Sequence, residues 1–247
     1  RNHTELFLKK INADIKIQKL KKGNLISLRG QKNLYSFDYS VGSDPSSAAF
    51  LIALTLLRPG SKLVIDNILC NHTRILFIRI LKKVNANIKI SNLRVVSGEL
   101  VGSITTYSSK LKPINISKDI GSVIDELPIL FVLAALTDGI SKFKNIGDLK
   151  NKESNRLLES KKILDQIGIK NKITKDDMII YGKEKINFLK KEITINTKGD
   201  HRICMSSAIL SLLTGVKSKI KNFETVNTSF PGFITLIKNL GGKIVIK

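Results

Sequence analysis

Three long apolar stretches divide the chain, and each begins with an acidic residue and ends at a glycine. They run from Asp44 to Gly60, from Asp125 to Gly139 and from Asp200 to Gly215. An apolar stretch of about 14 residues without polar alternation predicts a helix that is buried on every side. An acid suits the N-terminus of a helix, and a glycine suits the position just after its end. We therefore expect three buried helices of similar length.

The same succession of patterns follows each apolar stretch. A short strand pattern comes first, then a polar loop, an amphipathic helix pattern and a second strand pattern. The first strands are 62–66, 141–146 and 217–223, the helices are 75–84, 157–167 and 233–240, and the second strands are 86–90, 169–173 and 242–246. One unit repeated three times predicts an α/β (α+β) fold, in which a closed pseudo-threefold domain encloses the apolar helices.

The first 40 residues depart from this plan. Thr4–Lys16 predicts the amphipathic helix and second strand of a further unit that lacks its buried helix, and Gln18–Tyr39 predicts a strand pair. A half-unit cannot bury its own apolar face. We therefore interpret 1–40 as the C-terminal remnant of a preceding, similar domain with a crossover, and 41–247 as the three-repeat domain. We expect the chain to be cut within that preceding domain.

The formal net charge of +22 has two interpretations. One is a basic, non-enzymatic module that binds RNA or DNA through a contiguous lysine patch. The other is a solvated lysine surface, which the spread of lysines over the whole length favours. Aromatic residues make up only 6% of the chain and tryptophan is absent, so platforms for stacking bases are scarce. We expect no nucleic-acid partner.

The cysteine and hydropathy patterns indicate where in the cell the protein is located. Cys70 and Cys204 are far apart and form no Cys-x-x-Cys pair, and His3 and His72 are isolated, so we expect no disulfide framework and no metal site. No apolar run reaches the ~18 residues that a membrane span needs. These observations predict a cytoplasmic location and no membrane contact.

Seven short motifs, in order along the chain, resemble those of the 5-enolpyruvylshikimate-3-phosphate synthase family. Each is weak alone, but their order and spacing together are specific, and the resemblance covers essentially the whole chain. The motifs are Arg-Asn-His-Thr-Glu (1–5), Asp-Pro-Ser-Ser-Ala-Ala-Phe (44–50), Asn-His-Thr-Arg (71–74), Ile-Asp-Glu-Leu-Pro-Ile-Leu (124–130), Lys-Glu-Ser-Asn-Arg (152–156), Asp-His-Arg-Ile-Cys-Met (200–205) and Thr-Ser-Phe-Pro-Gly-Phe (228–233).

The resemblance implies a fold and a reaction. The family's fold has two domains, each of three βαβαββ units in an inside-out barrel, with the active site between them. Its enzymes transfer the enolpyruvyl group of phosphoenolpyruvate to the 5-hydroxyl of shikimate 3-phosphate and release phosphate. The reaction needs a base, an acid and cations around two phosphates and a carboxylate, but no metal or organic cofactor.

Three proton carriers follow from the resemblance. Asp125 corresponds to the group that binds and deprotonates the 5-hydroxyl; the alternative is a simple helix cap. Glu153 corresponds to the group that transfers a proton at C3, and the alternative is a local salt bridge with Arg156. His201 suits proton exchange near neutrality, because the neighbouring Arg202 should lower its pKa. Glu126 is expected to cap a helix or face solvent.

Four cations complete the expected site. Lys152 and Arg1 correspond to contacts of shikimate 3-phosphate, although Lys152 taken alone reads as a solvated lysine. Arg156 and Arg202 correspond to the phosphoenolpyruvate clamp, a role that suits the flat, bidentate guanidinium.

The first repeat is expected to contribute no substrate contact. Ser46 and Ser47 resemble a phosphate-binding pair, but we interpret them as helix N-terminal residues only. Arg74 is expected to brace its own loop.

The family's N-terminal substrate motifs have no counterpart in the chain. We therefore expect the chain to be inactive alone, to need the missing N-terminal domain of the same enzyme, and to be monomeric when complete. The nearest rival is the related enzyme that transfers enolpyruvate to UDP-N-acetylglucosamine. Lys-Glu-Ser-Asn-Arg together with Asp-His-Arg favours the shikimate enzyme.

Overall fold

The computed structural model describes residues 1–186 and 192–245. Its helices are α1 (His3–Lys10), α2 (Pro45–Leu57), α3 (Leu76–Lys83), α4 (Leu127–Ala135), α5 (Arg156–Gln166), α6 (His201–Thr214) and α7 (Phe233–Asn239). Its strands are β1 (Asp14–Lys19), β2 (Asn24–Arg29), β3 (Lys62–Leu69), β4 (Asn87–Val96), β5 (Glu99–Tyr107), β6 (Asn115–Ile116), β7 (Gly139–Phe143), β8 (Asn171–Thr174), β9 (Asp177–Gly182), β10 (Glu192–Asn196) and β11 (Lys217–Lys221).

Three apolar helices, α2, α4 and α6, pack against one another and form the core. Every residue of α4 is buried, as the absence of a polar face predicts. Asp44 caps α2 by accepting the backbone N–H groups of Ser46 and Ser47, and Asp200 caps α6 in the same way. These two caps agree with the expectation from the sequence, and they fix the direction in which each helix enters the core.

The start of α4 corrects the expected pattern. The helix begins at Leu127, so Asp125 lies outside it, and neither Asp125 nor Glu126 makes a side-chain capping bond. Pro128 accounts for the difference, because proline is favoured in the first helical turn, where its missing N–H would have no partner. The cap interpretation of Asp125 is therefore wrong, and its carboxylate is available for other contacts.

The glycines end the buried helices less uniformly than expected. Gly215 does terminate α6 in the left-handed conformation, with φ 74°. By contrast, α2 already ends at Leu57, and its next residue, Arg58, is extended because Pro59 disfavours helical backbone in the residue before it. Gly139 is the first residue of β7 and lies beyond the end of α4. Only the buried helix of the third repeat, α6, ends at its glycine as predicted.

Each buried helix connects two strand positions that pair in parallel. β6 pairs with β7 and β10 pairs with β11 in this manner, and Ser43 and Ile68 form the corresponding single bridge before and after α2. This strand–helix–strand crossover recurs three times and supports the predicted repeats.

The sheets do not close into one barrel. Within the described residues the repeats form three separate sheets, with strand orders β3-β5-β4, β6-β7-β9-β8 and β10-β11. The predicted pseudo-threefold α/β domain is therefore built from separate sheets around the buried helices, and the expected closure is absent among these strands. The third repeat also lacks the strand predicted at 242–246: no strand is assigned at 242–245 and no described residue pairs there, while 246 lies outside the described residues.

The N-terminal segment carries α1 and an antiparallel hairpin of β1 and β2. β1 includes the strand expected at the end of Thr4–Lys16, whereas of the strand pair expected within Gln18–Tyr39 only β2 lies wholly in that range, and 30–42 contains no strand. Apolar side chains of the hairpin are exposed, at Ile17, Leu20, Leu25, Ile26 and Leu28. Among residues 1–186 and 192–245, no helix has the length and hydropathy needed to cross a bilayer.

Candidate active site

The predicted site residues lie where three helices begin. Asp125 precedes α4, Lys152 and Glu153 precede α5, Arg156 opens α5, and His201 and Arg202 open α6. Helix N-termini carry partial positive charge from unpaired N–H groups and favour anions. The structure therefore brings these side chains, which are distant in sequence, to one end of the domain.

Arg156 is the most deeply placed of these residues, with a fully buried side chain. Its Nε donates to Asp200 at 2.8 Å, and its Nη2 donates to Glu153 at 2.5 Å and to Asp200 at 3.3 Å. Its Nη1 is buried without a hydrogen bond and lies 3.5 Å from an oxygen of Asp125. The predicted salt bridge with Glu153 is present. Most of the guanidinium is committed to protein carboxylates, and Nη1 is the nitrogen left for a ligand.

Asp125 faces several cations. Its Oδ2 accepts a hydrogen bond from Arg1 at 2.6 Å, and its Oδ1 lies 3.6 Å from the Lys152 ammonium and 3.5 Å from Arg156 Nη1. Arg202 Nη1 donates at 2.8 Å to the backbone carbonyl of Asp125. This cluster, which we call the Asp125 site, comprises Asp125 and these four cations.

The pKa of Asp125 reflects two opposing effects. Partial burial favours the neutral acid and alone would raise the pKa. Arg202, Lys152, Arg1 and Arg156 oppose burial, and together they hold the pKa below its ordinary value. Asp125 is therefore an anion and a weak base in this state. Any ligand that engages the cations with its own negative charge weakens their hold on Asp125 and makes it a stronger base.

His201 lies in the same electrostatic environment. Its burial and the Arg202 charge lower its pKa, against the opposing effect of Asp200. Arg202 alone was expected to produce this shift, but burial contributes more. His201 is consequently a neutral imidazole near pH 7, able to accept a proton. Glu153 has a side chain that is 50% exposed, so it can reach solvent as well as Arg156.

Asp200 is a site residue that the sequence marked only as a helix start. It is fully buried, pairs with Arg156 and accepts a further hydrogen bond from Ser154 Oγ at 3.0 Å. Burial would raise its pKa, but the hydrogen bonds and charge of Arg156 and the α6 backbone N–H groups keep it below the ordinary value. Its place in the Asp-His-Arg motif, beside two expected site residues, was the available signal.

Glu126 and Ser46 depart most from expectation. Glu126 neither caps nor faces solvent: it is buried, and it accepts a hydrogen bond from Ser46 Oγ at 2.5 Å. Burial raises the pKa of Glu126. Arg74 ties its loop to α2, since its Nη2 donates to both Asp44 and Ser46. Ser46 is therefore more than a helix N-terminal residue.

Two further observations concern metal ligands and cavities. Within the described part of the chain, no group of three His, Cys, Asp or Glu side chains is arranged to hold a metal ion. A cavity of about 590 Å³ lies at the opposite end of the core, beside Leu57 and Leu136, and none of the predicted site residues lines it.

Fold and site together define a class: a three-repeat α/β domain that gathers cations around one carboxylate at helix N-termini, as a binder of small polyanions does. A family model described as EPSP synthase (3-phosphoshikimate 1-carboxyvinyltransferase) matches residues 1–237. The chain belongs to the EPSP synthase family, which confirms the resemblance drawn from the motifs.

Relatives and solved structures agree with this family assignment. The chain is 35% identical over 245 residues to 3-phosphoshikimate 1-carboxyvinyltransferase of Acidiphilium cryptum, with 99% of the chain and 54% of the relative covered. It is 37% identical over 243 residues to the Helicobacter pylori (strain G27) protein of that name, with 96% of the chain and 55% of that relative covered. The EPSP synthase structure from Acinetobacter baumannii superposes with a TM-score of 0.90 at 34% identity, covering 100% of this chain and 56% of that one. The chain thus spans about half the length of these relatives.

We expect Asp200→Asn to destabilise the fold. Asparagine retains the cap but leaves the buried Arg156 guanidinium short of negative charge, and breaking a buried ion pair costs about 3 kcal/mol or more. The folded-state pKa of Asp200 lies below its unfolded value, so its contribution is present above about pH 4 and is lost as pH falls through the folded pKa. Urea unfolding at pH 7 and pH 3 should show a large loss in the variant at pH 7 and a smaller one at pH 3.

The matched control for this variant is Asp165→Asn, which breaks the exposed pair with Lys161. Its free energy of unfolding should change by less than about 1 kcal/mol. Equal destabilisation by the two variants would contradict the importance of the buried pair.

Lys152→Ala should raise the pKa of Asp125, because it removes one of the cations that favour the ionised carboxylate. The ¹³C resonance of the Asp125 carboxyl, followed during a pH titration, measures the shift. Lys150→Ala is the control, since Lys150 pairs with Asp176. An Asp125 titration that is unchanged in Lys152→Ala would show that the 3.6 Å contact has no electrostatic effect.

Proposed function

We propose that the complete protein transfers the enolpyruvyl group of phosphoenolpyruvate to the 5-hydroxyl of shikimate 3-phosphate and releases phosphate. The observation that carries this proposal is the Asp125 site, in which one carboxylate faces Arg1, Lys152 and Arg156, and Arg202 holds its backbone carbonyl. Two anionic substrates suit such a cluster, and the base that the reaction needs already lies in its centre.

The substrates divide the cations between them. Arg156, through Nη1, which makes no hydrogen bond and lies 3.5 Å from Asp125, and Arg202 bind phosphoenolpyruvate, whose carboxylate and phosphate suit guanidinium groups. Lys152 and Arg1 bind shikimate 3-phosphate next to Asp125. Each substrate anion that engages a cation draws it away from Asp125. The base therefore gains strength only once the substrates are in place.

The proton transfers use the three carriers. Asp125 removes the proton of the 5-hydroxyl, and the oxygen attacks C2 of phosphoenolpyruvate. Glu153 transfers a proton to the C3 methylene, giving a tetrahedral intermediate. The C2–O bond to phosphate then breaks, phosphate leaves with the bonding electron pair and takes up the proton held by Asp125, and C3 returns its proton to Glu153 so that the enol ether re-forms. His201, neutral near pH 7, exchanges protons in this site. No metal or organic cofactor takes part.

The relatives' greater length bears on the remaining expectations. We propose that 1–40 belong to a preceding domain, that 41–247 form the three-repeat domain, and that the exposed apolar face of the β1–β2 hairpin packs within the preceding domain. The 247-residue chain should then be inactive alone, and the complete enzyme should be monomeric. The cytoplasmic location stays a prediction.

Asp125→Asn in the complete enzyme should reduce kcat by roughly 10²–10⁴-fold, the usual cost of losing a general base. The KM for phosphoenolpyruvate should change far less, because that substrate contacts Arg156 and Arg202. Phosphate release with saturating substrates measures both constants. Asp119→Asn, which alters an exposed acid in the same segment, is the control and should leave both constants unchanged.

Arg202→Lys should behave in the opposite way. A point charge cannot reproduce the bidentate guanidinium, so KM for phosphoenolpyruvate should rise roughly 10- to 100-fold, the usual worth of a hydrogen bond to a charged group.

For the first of these two variants, near-normal turnover by Asp125→Asn would contradict the assignment of Asp125 as the base.

A further inference from the structure

A chain of polar contacts, exposed at Asp44 and buried at Glu126, connects the first repeat with the Asp125 site. Asp44 accepts a hydrogen bond from Arg74 Nη2, and the same nitrogen donates to Ser46 Oγ at 3.1 Å. Ser46 Oγ in turn donates to Glu126 Oε1. Because the Ser46 oxygen already accepts from Arg74, its own proton is directed at Glu126. Donation therefore starts at Arg74 and leads on one side to Asp44 and on the other, through Ser46, to the carboxyl group of Glu126, a residue that is 2% exposed.

Glu126 shares a peptide unit with the base of the proposed reaction. The carbonyl of that unit, which belongs to Asp125, accepts Arg202 Nη1 at 2.8 Å. Arg202 Nη1 also lies 3.9 Å from Glu126 Oε1. One dipeptide thus turns the Asp125 carboxylate towards the cations, the Glu126 carboxyl towards Ser46, and its carbonyl towards Arg202. A rotation of this dipeptide would displace the base and the clamp together.

We propose that Glu126 is a positioning residue, and that its hydrogen bond with Ser46 sets the orientation of both Asp125 and Arg202. The inference rests on the proposed function for the roles of those two residues. Glu126 is assigned no substrate contact, because its carboxyl accepts the hydrogen bond of Ser46 Oγ. Through this bond the first repeat, which supplies no substrate contact, determines the geometry of a site built from the second and third repeats.

The physical argument concerns the cost of a buried polar group without a partner. A buried carboxyl that loses its donor must find another one or move towards water. Burial raises the pKa of Glu126, in keeping with a carboxyl that has little access to solvent. Since Glu126 adjoins the base, any movement towards water turns the Asp125 carbonyl away from Arg202.

The test uses a double-mutant cycle in the complete enzyme. Ser46→Ala and Glu126→Ala should each raise KM for phosphoenolpyruvate and lower kcat, with kcat/KM reduced about 10-fold or more, as expected for an orphaned buried hydrogen-bonding group. The double variant should be no worse than the more severe single variant, because both remove one contact. Glu126→Gln should restore kcat/KM to within about threefold, since its amide oxygen still accepts from Ser46.

Ser47→Ala is the matched control, because the neighbouring Ser47 hydroxyl donates to Asp44 and, within the described residues, has no hydrogen bond to Glu126. It should leave kcat/KM within about twofold, because an exposed contact of this kind contributes little. Circular dichroism establishes that each variant is folded. If Glu126→Ala fails to fold, Ser46→Ala and Glu126→Gln still decide the matter.

A second readout is independent of turnover. The ¹³C resonance of the Asp125 carboxyl and the ¹⁵N resonance of the Arg202 side chain should both shift in Ser46→Ala but not in Ser47→Ala. Unchanged resonances, strictly additive effects on kcat/KM, or a Glu126→Gln variant as impaired as Glu126→Ala would each overturn the inference. The proposed function would instead be refuted if the two resonances shift as expected in Ser46→Ala but the wild-type enzyme does not consume the two substrates.

Discussion

The buried ion pair of Arg156 with Asp200 is the interaction on which the site depends. Asp200 caps α6 and so fixes where His201 and Arg202 begin their helix, while Arg156 is the first residue of α5. The pair therefore joins the ends of two helices at a fixed distance. It also holds the guanidinium so that Nη1 lies 3.5 Å from Asp125. Without Asp200 the buried guanidinium would be left short of negative charge, and without Arg156 the buried carboxylate would lose its cation, and both losses are costly.

The two ends of the domain differ because the three buried helices all begin at the same end. Their N-termini gather the charged side chains, and their C-termini border the 590 Å³ cavity beside Leu57, Leu136 and Leu213. Unpaired N–H groups at the first end favour anions, and unpaired carbonyl groups at the second do not. The repeat architecture thus assigns anion binding to one face before any particular side chain is considered.

Local signals allowed much of the fold and part of the site to be predicted. The buried helices follow from their uninterrupted apolar composition, and Asp44 and Asp200 cap them because capping involves only the next few residues. The start of α4 was misplaced, since an acid before an apolar stretch reads as a cap whether or not a proline lies in the first turn.

Contacts between repeats could not be predicted in the same way. The burial of Glu126 depends on Ser46, which is 80 residues earlier in the chain, and no local pattern records that distance. The closure of the sheets is likewise a question of which strands pair, and alternation along one strand does not determine its partner. The motifs identified the family, but the bonds of Asp200 and Glu126 emerged only from the folded chain.

The central claim is that Asp125 meets the substrate hydroxyl once its cations are engaged by substrate anions. The most direct measurement is a crystal structure of the complete enzyme with shikimate 3-phosphate bound. We expect an Asp125 carboxylate oxygen about 2.6–3.2 Å from the 5-hydroxyl, the reach of a general base, with Arg1 and Lys152 moved onto the substrate. A bound substrate whose 5-hydroxyl lies far from Asp125, while that carboxylate keeps its contacts with Arg1 and Lys152, would contradict the account.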